Sequence, residues 1–353
     1  MDASGFSGSA PEADSSPSTA HLSGTAYLSG VKAARGLRRR ARVPVAARAF
    51  WRRAWAFRGL DITAAMASTS CLVVAPHPDD ETLGCAAAIM RKRAAGVPVT
   101  VAIVSDGAGG ASAVETSGQL SEVRRREAVR ACARLGVDEG DVVFLDFPDT
   151  ALDQHLDEVA AALARLVGSR TPRQILVPTS CEGHPDHDAS HEAVRRAVQA
   201  SGFRGEILEY TVWLWTHWPW TVGHGTGRWT ARRLLLAPIR RVSELRPLLV
   251  DARGLREHQK QALAEHVTQT GPAVPSRGDA AVARAAGGGS ALVPPPLSGS
   301  LLAVLESRYE IYVPAGSLRH LDFDRPWRAT VASVATSRTA DEQASPRATA
   351  GPG

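Results

Sequence analysis

Two short clusters of histidine and aspartate carry the chemistry of this 353-residue sequence. Residues 76–81 read Pro-His-Pro-Asp-Asp-Glu, and residues 184–187 read His-Pro-Asp-His. A catalytic zinc ion takes three nitrogen or oxygen ligands from the protein and keeps a further position open. Together the two clusters supply enough imidazoles and carboxylates for such a site and still leave a carboxylate free to act as a base.

Each cluster follows an apolar run that predicts a buried strand. Residues 71–75 (Cys-Leu-Val-Val-Ala) precede the first cluster, and residues 174–178 (Gln-Ile-Leu-Val-Pro) precede the second by a few positions. Open α/β sheets bind their ligands at the carboxyl ends of the strands. The placement of the clusters therefore predicts that they meet at one edge of a sheet.

The elements around the clusters alternate between strand and helix. Strands are predicted at 71–75, 97–105, 141–147, 174–178 and 206–214, with helices at 82–95, 121–135, 156–167 and 189–199. Late strands are predicted at 246–251 and 308–313, with a helix at 253–266 before the second. This alternation predicts an α/β fold, a Rossmann-like, mainly parallel sheet with helices on both faces.

Composition divides the chain into three parts. Residues 1–66 are predicted to be a disordered, basic extension, rich first in Ser, Gly and Ala and then in Arg. The catalytic domain is expected at 67–325, including a long Pro/Gly/Ala-rich loop at 271–300. The low-complexity end, 326–353, is expected to be a disordered tail.

The net charge of +5 belongs to the extension. Residues 1–66 hold ten Lys or Arg and four acids, a balance of +6, which leaves −1 for residues 67–353. A neutral body gives no support to nucleic-acid binding. The four cysteines form no Cys-x-x-Cys pair and no disulfide framework, which favours a cytoplasmic location.

Residues 32–60 contain many arginines and four aromatic side chains. On a helix, Ala47, Phe50, Ala54 and Phe57 would share one face, so the segment could lie on an anionic membrane surface as a peripheral contact. The simpler alternative is an upstream extension without function, with Met66 as the true start.

The order and spacing of these pieces resemble the LmbE-like (PIG-L) family of zinc de-N-acetylases, which includes the N-acetylglucosaminyl-phosphatidylinositol and mycothiol-pathway deacetylases. The resemblance covers residues 70–200 well and 253–313 more loosely. Residues 256–269 echo the family's Lys-Ala-x-x-x-His-x-Ser-Gln signature, with His266 and Gln269 at the matching spacing, Lys260 one position early and Thr268 in place of Ser.

The resemblance implies a role for each residue of the two clusters. It implies Zn²⁺ held by His77, Asp80 and His187, although this donor set also suits Fe²⁺ or another divalent metal. Asp79 matches the family's general base and His184 its candidate oxyanion stabiliser, with Asp186 orienting or charging that histidine. The plainer alternatives are helix capping for the two aspartates and a polar loop for the two histidines.

Contacts to a substrate are implied by three further positions. Arg124 matches a substrate-binding arginine of the family, Asp149 a residue that touches sugar hydroxyls, and His266 a pocket residue. The alternatives are an i, i+3 ion pair of Arg124 with Glu127, an ordinary turn aspartate and a surface helix histidine. Asp106-Gly107 fits either a sugar-facing loop or a tight turn.

Two features depart from the family pattern. Glu182 stands where the mycothiol-pathway enzyme has a tyrosine, so a tyrosine-assisted step is in doubt. The segment 212–229 holds five tryptophans and either packs in the core or forms a lip over the pocket.

The function expected from these observations is hydrolysis of an N-acetyl or N-acyl group on an amino sugar or glycoconjugate. One alternative is an amidase that cleaves a larger amide, such as a mycothiol conjugate or a glycosylated natural product. The other is a metal-dependent carbohydrate-binding protein without turnover. The free base, Asp79, argues against the second alternative, since a binding protein has no need of one beside the metal.

Overall fold

The computed structural model describes residues 45–109, 114–180, 182–216, 231–270, 305 and 307–315. The predicted loop at 271–300, the tail at 326–353 and most of the extension lie outside these residues. So do Trp218, Trp220 and Trp229, together with His217 and Cys181.

The helices and strands are numbered here in chain order. The helices are α1 (Val45–Phe57), α2 (Thr63–Ala67), α3 (Asp80–Ala94), α4 (Val114–Arg134), α5 (Leu156–Arg170), α6 (Pro185–Ser201), α7 (Ala231–Glu244), α8 (Arg256–Ala264) and α9 (Val267–Thr270). The strands are β1 (Leu60–Asp61), β2 (Cys71–Ala75), β3 (Val99–Ser105), β4 (Val142–Phe147), β5 (Gln174–Pro178), β6 (Glu206–Tyr210), β7 (Leu248–Asp251) and β8 (Tyr309–Pro314).

These strands form one mainly parallel sheet in the order β1-β7-β8-β6-β5-β2-β3-β4. Only the pairings of β8, with β6 and β7, are antiparallel. The chain leaves β2 toward β3 on one side and later returns to β5 on the other. The carboxyl end of β2 is therefore a topological switch point, where such sheets bind ligands. The predicted α/β fold is confirmed.

Helices cover both faces of the sheet, as the continuous apolar sequence of β2 requires. Successive β2 side chains point to opposite faces. Cys71, Val73 and Ala75 pack with residues of α3, α4 and α8, whereas Leu72 and Val74 pack with residues of α5 and α6. Each fully buried side chain of this kind contributes about 1.5–3 kcal/mol to folding. Because β2 is buried on both faces, its position in the sheet is fixed. The position of residues 76–81, which follow its carboxyl end, is therefore fixed as well.

The folded domain begins before residue 67, where the sequence predicts its start. Trp55 of α1 is completely buried against Trp215, Val242 and neighbouring side chains, and its Nε1 donates a hydrogen bond of 2.8 Å to the carbonyl of Leu245. Strand β1 extends the sheet beside β7. Residues 45–66 are therefore part of the folded domain, because an aromatic core lies beneath the basic surface of α1.

Several predicted element boundaries also move. Strand β6 ends at Tyr210 instead of residue 214, since its neighbour β5 ends at Pro178 and offers no further partner. The predicted helix 253–266 corresponds to α8 alone, with α9 following from Val267, and α4 begins seven residues before the predicted position 121. Helix α7 was missed because it is rich in arginine and contains Pro238. Within the described segments, no helix is both long and apolar enough to cross a membrane.

Candidate metal centre

Four adjacent parallel strands, β5, β2, β3 and β4, bring the candidate residues together at their carboxyl ends. The first cluster follows β2, and the second begins at His184, directly before α6, and continues into the first turn of that helix. Asp149 comes from the loop after β4, and its backbone N–H donates to Asp106 after β3 at 3.1 Å. The two sequence motifs thus meet in space as predicted.

Asp80 lies between the two histidines predicted to be metal ligands with it. Its Oδ2 atom is 3.3 Å from His77 Nδ1 and 3.3 Å from His187 Nε2. It also accepts a 3.0 Å hydrogen bond from the backbone N–H of His77. Charged and hydrogen-bonding contacts with His187 and His77 lower the pKa of Asp80 despite its burial, so this carboxylate is ionised.

Glu182 orients His187 toward this carboxylate. The fully buried His187 has its Nδ1 atom 2.7 Å from Glu182 Oε2, and Glu182 in turn accepts backbone hydrogen bonds from Val212 and Leu214. A carboxylate on one imidazole nitrogen is the usual support of a metal-ligating histidine, since it fixes the tautomer and the ring orientation. In the sequence, Glu182 is notable only as a departure from the family pattern, and nothing there predicts that it supports His187.

The nitrogens that face the centre suit a metal ion. Among the described residues, neither His187 Nε2 nor His184 Nδ1, both buried, has a hydrogen-bond partner of good geometry, although His187 Nε2 lies 3.3 Å from Asp80 Oδ2. His77, His184 and His187 can each place one ligand atom within 4.8 Å of the others, and so can His77, Asp149 and Asp186. Unpartnered buried nitrogens beside ionised carboxylates are the donor set that a divalent cation of the zinc type prefers.

His77 touches three carboxylates, and this corrects the role expected for Asp186. Its Nε2 atom is 3.1 Å from Asp186 Oδ2 and 3.3 Å from Asp149 Oδ1. Burial alone would lower the pKa of His77, but its contacts with Asp149, Asp186 and Asp80 raise it well above the ordinary value. Asp186 thus contacts His77 instead of the expected His184. From the start of α6, its side chain accepts hydrogen bonds from the backbone N–H groups of Thr150 and Leu152, and this directs it toward His77.

His184 is kept neutral. Burial, followed by the charges of His77 and His187, lowers its pKa well below the ordinary value. Its ring stacks on Trp213 with the centroids 6.2 Å apart and lies 4.9 Å from the ring of His77. A neutral imidazole held in this way can donate one hydrogen bond toward the centre, as the predicted oxyanion role requires.

Asp79 has a strained backbone, with φ at 147°, a region that side chains other than glycine rarely enter. It precedes α3, but its side chain makes no capping hydrogen bond, so the helix-capping alternative does not describe it. Burial, followed by the charge of Asp80, raises the pKa of Asp79 to about 8. Backbone strain at a buried carboxylate that does not cap its helix is typical of a functional position.

The peptide on the amino side of Asp79 is held from both ends. Gln269 Nε2 donates to the carbonyl of Pro78, and the N–H of Asp79 donates to Glu81 Oε2 at 3.1 Å. His266 Nε2 lies 3.3 Å from the other oxygen of Glu81. We name Glu81, His266 and Gln269 the Asp79 clamp.

His266 is completely buried, so it is not the surface helix histidine offered as the alternative. It lies against Glu81, within the Asp79 clamp, and its role as a pocket residue stays a prediction. The packing of α8 and α9 against α3 and α4 places it there.

Arg124 and Glu127 do not form the ion pair offered as their alternative. Arg124 donates to the carbonyl of Gly107 and lies 4.0 Å from Asp149 Oδ2, beside the centre. Glu127 instead accepts hydrogen bonds from Thr268 at 3.0 Å and 2.6 Å. Asp149 is likewise more than an ordinary turn aspartate, since it also contacts His77.

Comparison with known proteins agrees with this geometry. Residues 72–198, which contain both clusters and Glu182, match the model of the PIG-L family, described as GlcNAc-PI de-N-acetylase. Residues 72–198 are a PIG-L domain. The family resemblance stated from the two motifs is confirmed. Glu81 lies inside the PIG-L domain, whereas His266 and Gln269 lie outside it.

Curated relatives of the PIG-L domain carry deacetylase names. A probable N-acetyl-α-D-glucosaminyl L-malate deacetylase 2 of Bacillus subtilis is 33% identical over 133 residues, 36% of this chain and 59% of the relative. The diacetylchitobiose deacetylase of Thermococcus kodakarensis is 33% identical over 138 residues, 38% of this chain and 49% of the relative. The chain therefore spans about half to three-fifths of the length of these relatives.

A solved structure of the N,N'-diacetylchitobiose deacetylase of Pyrococcus horikoshii also matches. It is 18% identical, with a TM-score of 0.47, over 72% of this chain and 87% of that one.

Proposed function

We propose that this protein is a metal-dependent hydrolase that removes an N-acetyl or N-acyl group from an amino sugar or glycoconjugate. The observation that carries the proposal is the meeting of His77, Asp80 and His187 beside Asp79, a buried residue with a strained backbone whose carboxylate makes no capping hydrogen bond. The names of the curated relatives support the substrate class, since they are deacetylases of N-acetylglucosamine-type compounds.

The proposed ligands of the metal are His77, Asp80 and His187, and Zn²⁺ fits them best. Bound there, the ion would supply Lewis-acid polarisation of an amide carbonyl and would make a water molecule more acidic. The chain supports this assignment through Glu182, which presents His187 in one tautomer, and through the shared contact of both histidines with Asp80. Asp149 and Asp186 hold the far nitrogen of His77 in this arrangement.

Asp79 is the proposed general base. It would take a proton from the attacking water and later return one to the leaving amine, which needs a carboxylate held in one place beside the reacting atoms. The Asp79 clamp supports this role, since it fixes the peptide that carries Asp79. His184, kept neutral, would donate a hydrogen bond to the oxygen that gains negative charge during attack.

Arg124 and Asp149 are the proposed substrate-positioning residues. They lie on the rim beside the centre, from α4 and from the loop after β4, and approach each other to 4.0 Å. A guanidinium and a carboxylate side by side can bind the hydroxyl groups of a sugar as donor and acceptor.

The test is acetate release by the purified full chain loaded with Zn²⁺. The panel is N-acetylglucosamine, N,N'-diacetylchitobiose, N-acetylglucosaminyl malate and N-acetylglucosaminyl inositol. Release from at least one compound, lost when the metal is removed by a chelator and restored by Zn²⁺, is the expected result. Bound metal without release from any of them, but with hydrolysis of a longer N-acyl conjugate, would move the function to the cleavage of a larger amide. Bound metal without any hydrolysis would contradict the proposal.

A further inference from the structure

The exposed large apolar side chains of the described residues are gathered in one part of the molecule. They lie on α1, on β1 directly after it and on α7, and are Phe50, Phe57, Leu60, Leu236 and Ile239. Phe57 is 93% exposed and Phe50 is 62% exposed. Single exposed apolar residues are ordinary, but a set confined to neighbouring elements marks an interaction surface.

Helix α1 has two distinct apolar faces. Trp55 points into the core, whereas Phe50 and Phe57, seven positions apart, lie on the opposite face together with the exposed Arg53. The tryptophan is buried in the core, whereas most of each phenylalanine side chain is exposed; Phe50 also packs edge-on against Trp51. This differs from a helix that is apolar only toward its own domain.

Helix α7 is fixed beside α1 by direct bonds. Trp55 donates to the carbonyl of Leu245, and Arg58 donates to the carbonyl of Ser243 at 3.1 Å. Arg246 donates to the carbonyl of Arg58 at 3.0 Å. These bonds join the carboxyl ends of the two helices, and we name their exposed side chains together the α1–α7 surface.

The α1–α7 surface is strongly basic. Residues 45–62 and 231–246 together contain nine arginines and only two acids, Asp61 and Glu244. Arg53, Arg58 and Arg246 are exposed. Exposed phenylalanines flanked by arginines are the composition of segments that lie in the headgroup region of an anionic bilayer.

Charge also decides against other occupants of this surface. A second copy would bring two positive surfaces together and would be repelled. The longer parts of this chain outside the described residues, 1–44, 217–230, 271–304 and 316–353, each carry a net positive charge in sequence. None of them offers the acidic complement that the arginines require.

We propose that the α1–α7 surface docks this protein onto a membrane that contains anionic lipids. Phe50 and Phe57 would enter the boundary between headgroups and acyl chains, about 5–10 Å deep, while the arginines contact lipid phosphates. The expected face of residues 32–60 is retained at Phe50 and Phe57, whereas Ala54 packs against the protein, and α7 supplies the second half of the surface. The inference is independent of the proposed reaction.

The experiment is co-sedimentation of the full chain with vesicles of phosphatidylcholine alone or mixed with phosphatidylglycerol. The full chain should bind only the mixed vesicles, and less as salt is raised. The double variant Phe50→Ser/Phe57→Ser should partition roughly tenfold less or weaker still, with an unchanged melting temperature, since both side chains are exposed. Arg53→Glu should lower partitioning several-fold, whereas Arg126→Glu on α4, with the same change of net charge, should lower it much less.

Three outcomes would overturn the proposal. The first is no binding of the full chain to the mixed vesicles at low salt. The second is equal binding by the full chain and the double phenylalanine variant. The third is a dimer of the full chain in solution that the double variant abolishes, because the surface would then belong to a second copy.

Discussion

Glu182 should set the metal affinity of the centre at the scale of single residues. Its carboxylate holds His187 Nδ1 at 2.7 Å and so directs Nε2 toward the metal. Glu182→Gln keeps the shape but removes the charge, and we expect zinc affinity to fall about 10–100-fold. Competition titration with a coloured chelator measures it. Glu192→Gln, on the same helix as His187 but paired with Arg195 at the surface, is the control that should leave affinity unchanged. Equal affinities for the wild type and Glu182→Gln would contradict the assigned role.

The Asp79 clamp gives a second prediction at this scale. Gln269→Met keeps the side-chain volume but removes the N–H group that holds the carbonyl of Pro78. Because misplacement of a catalytic group lowers turnover, we expect kcat to fall about 10–100-fold with KM and zinc content nearly unchanged. Steady-state acetate release measures both constants.

The matched control for this variant is Gln259→Met. Gln259 is equally buried and also donates to a carbonyl of the first cluster's helix, that of Thr82, at 2.7 Å. It does not touch the Asp79 peptide, so any loss of stability should be shared while the loss of kcat should not. Equal kcat values for the two variants would show that Gln269 has only a structural role.

Much of the residue-scale arrangement could be predicted, because a motif states which residue types come close together in sequence. It does not state which side chains contact each other. His77, Asp80 and His187 meet as predicted, but Asp186 turned out to contact His77, and Glu182 was found only in the structure. His266 kept the motif spacing yet lies behind Glu81, since the direction of a side chain depends on helices distant in sequence.

At the scale of elements, α1 should be necessary for the fold. Trp55→Ala removes a completely buried indole and its hydrogen bond to Leu245, so we expect a loss of about 3–5 kcal/mol in the free energy of unfolding. Urea denaturation followed by circular dichroism measures it. Phe57→Ala, on the exposed face of the same helix, should cost less than about 0.5 kcal/mol. Similar costs for both variants would contradict the placement of α1.

Asp251 at the end of β7 should give a pH-dependent contribution to stability. Burial alone would raise its pKa, but hydrogen bonds from Arg253 and Arg308 lower it to about 2. A depressed folded pKa stabilises above the unfolded value near 4, and the stabilisation is lost as the pH falls through about 2. Wild type should exceed Asp251→Asn by on the order of 1–2 kcal/mol at pH 6, and the difference should shrink below pH 4.

Urea midpoints of both proteins at pH 6, 4 and 3 test this expectation. Asp138→Asn supplies the control, since Asp138 pairs with Arg93 but is largely exposed. Its difference from wild type should stay small throughout. A difference for Asp251→Asn that grows toward low pH would reverse the predicted sign.

The elements that periodicity could predict are those of the central sheet. The apolar runs of β2, β3 and β5 are long, buried on both faces and bounded by turns. Helices α1 and α7 could not be predicted in the same way. The nine arginines in and around them indicate exposed segments, and only a few of their side chains, such as Trp55 and Val242, are buried in the core.

At the scale of the whole molecule, the PIG-L domain does not complete the centre by itself. Residues 72–198 supply the proposed metal ligands and all of strands β2 to β5 except Cys71. Strands β1, β6, β7 and β8 complete the sheet from outside the matched range, and Gln269 and His266 reach back from α9 and the turn before it to the Asp79 peptide. Sequence could identify the domain from two motifs, but not this dependence on distant segments.

The measurement that tests the account most directly compares zinc content and acetate release in three proteins: wild type, Asp79→Asn and Asp80→Ala. We expect one zinc per wild-type chain and release of acetate from an N-acetylated amino sugar. Asp79→Asn should keep the zinc and lose about 10²–10⁴-fold in turnover, as expected when a general base is removed. Asp80→Ala should lose both. Undiminished turnover in zinc-loaded Asp79→Asn would contradict the central claim.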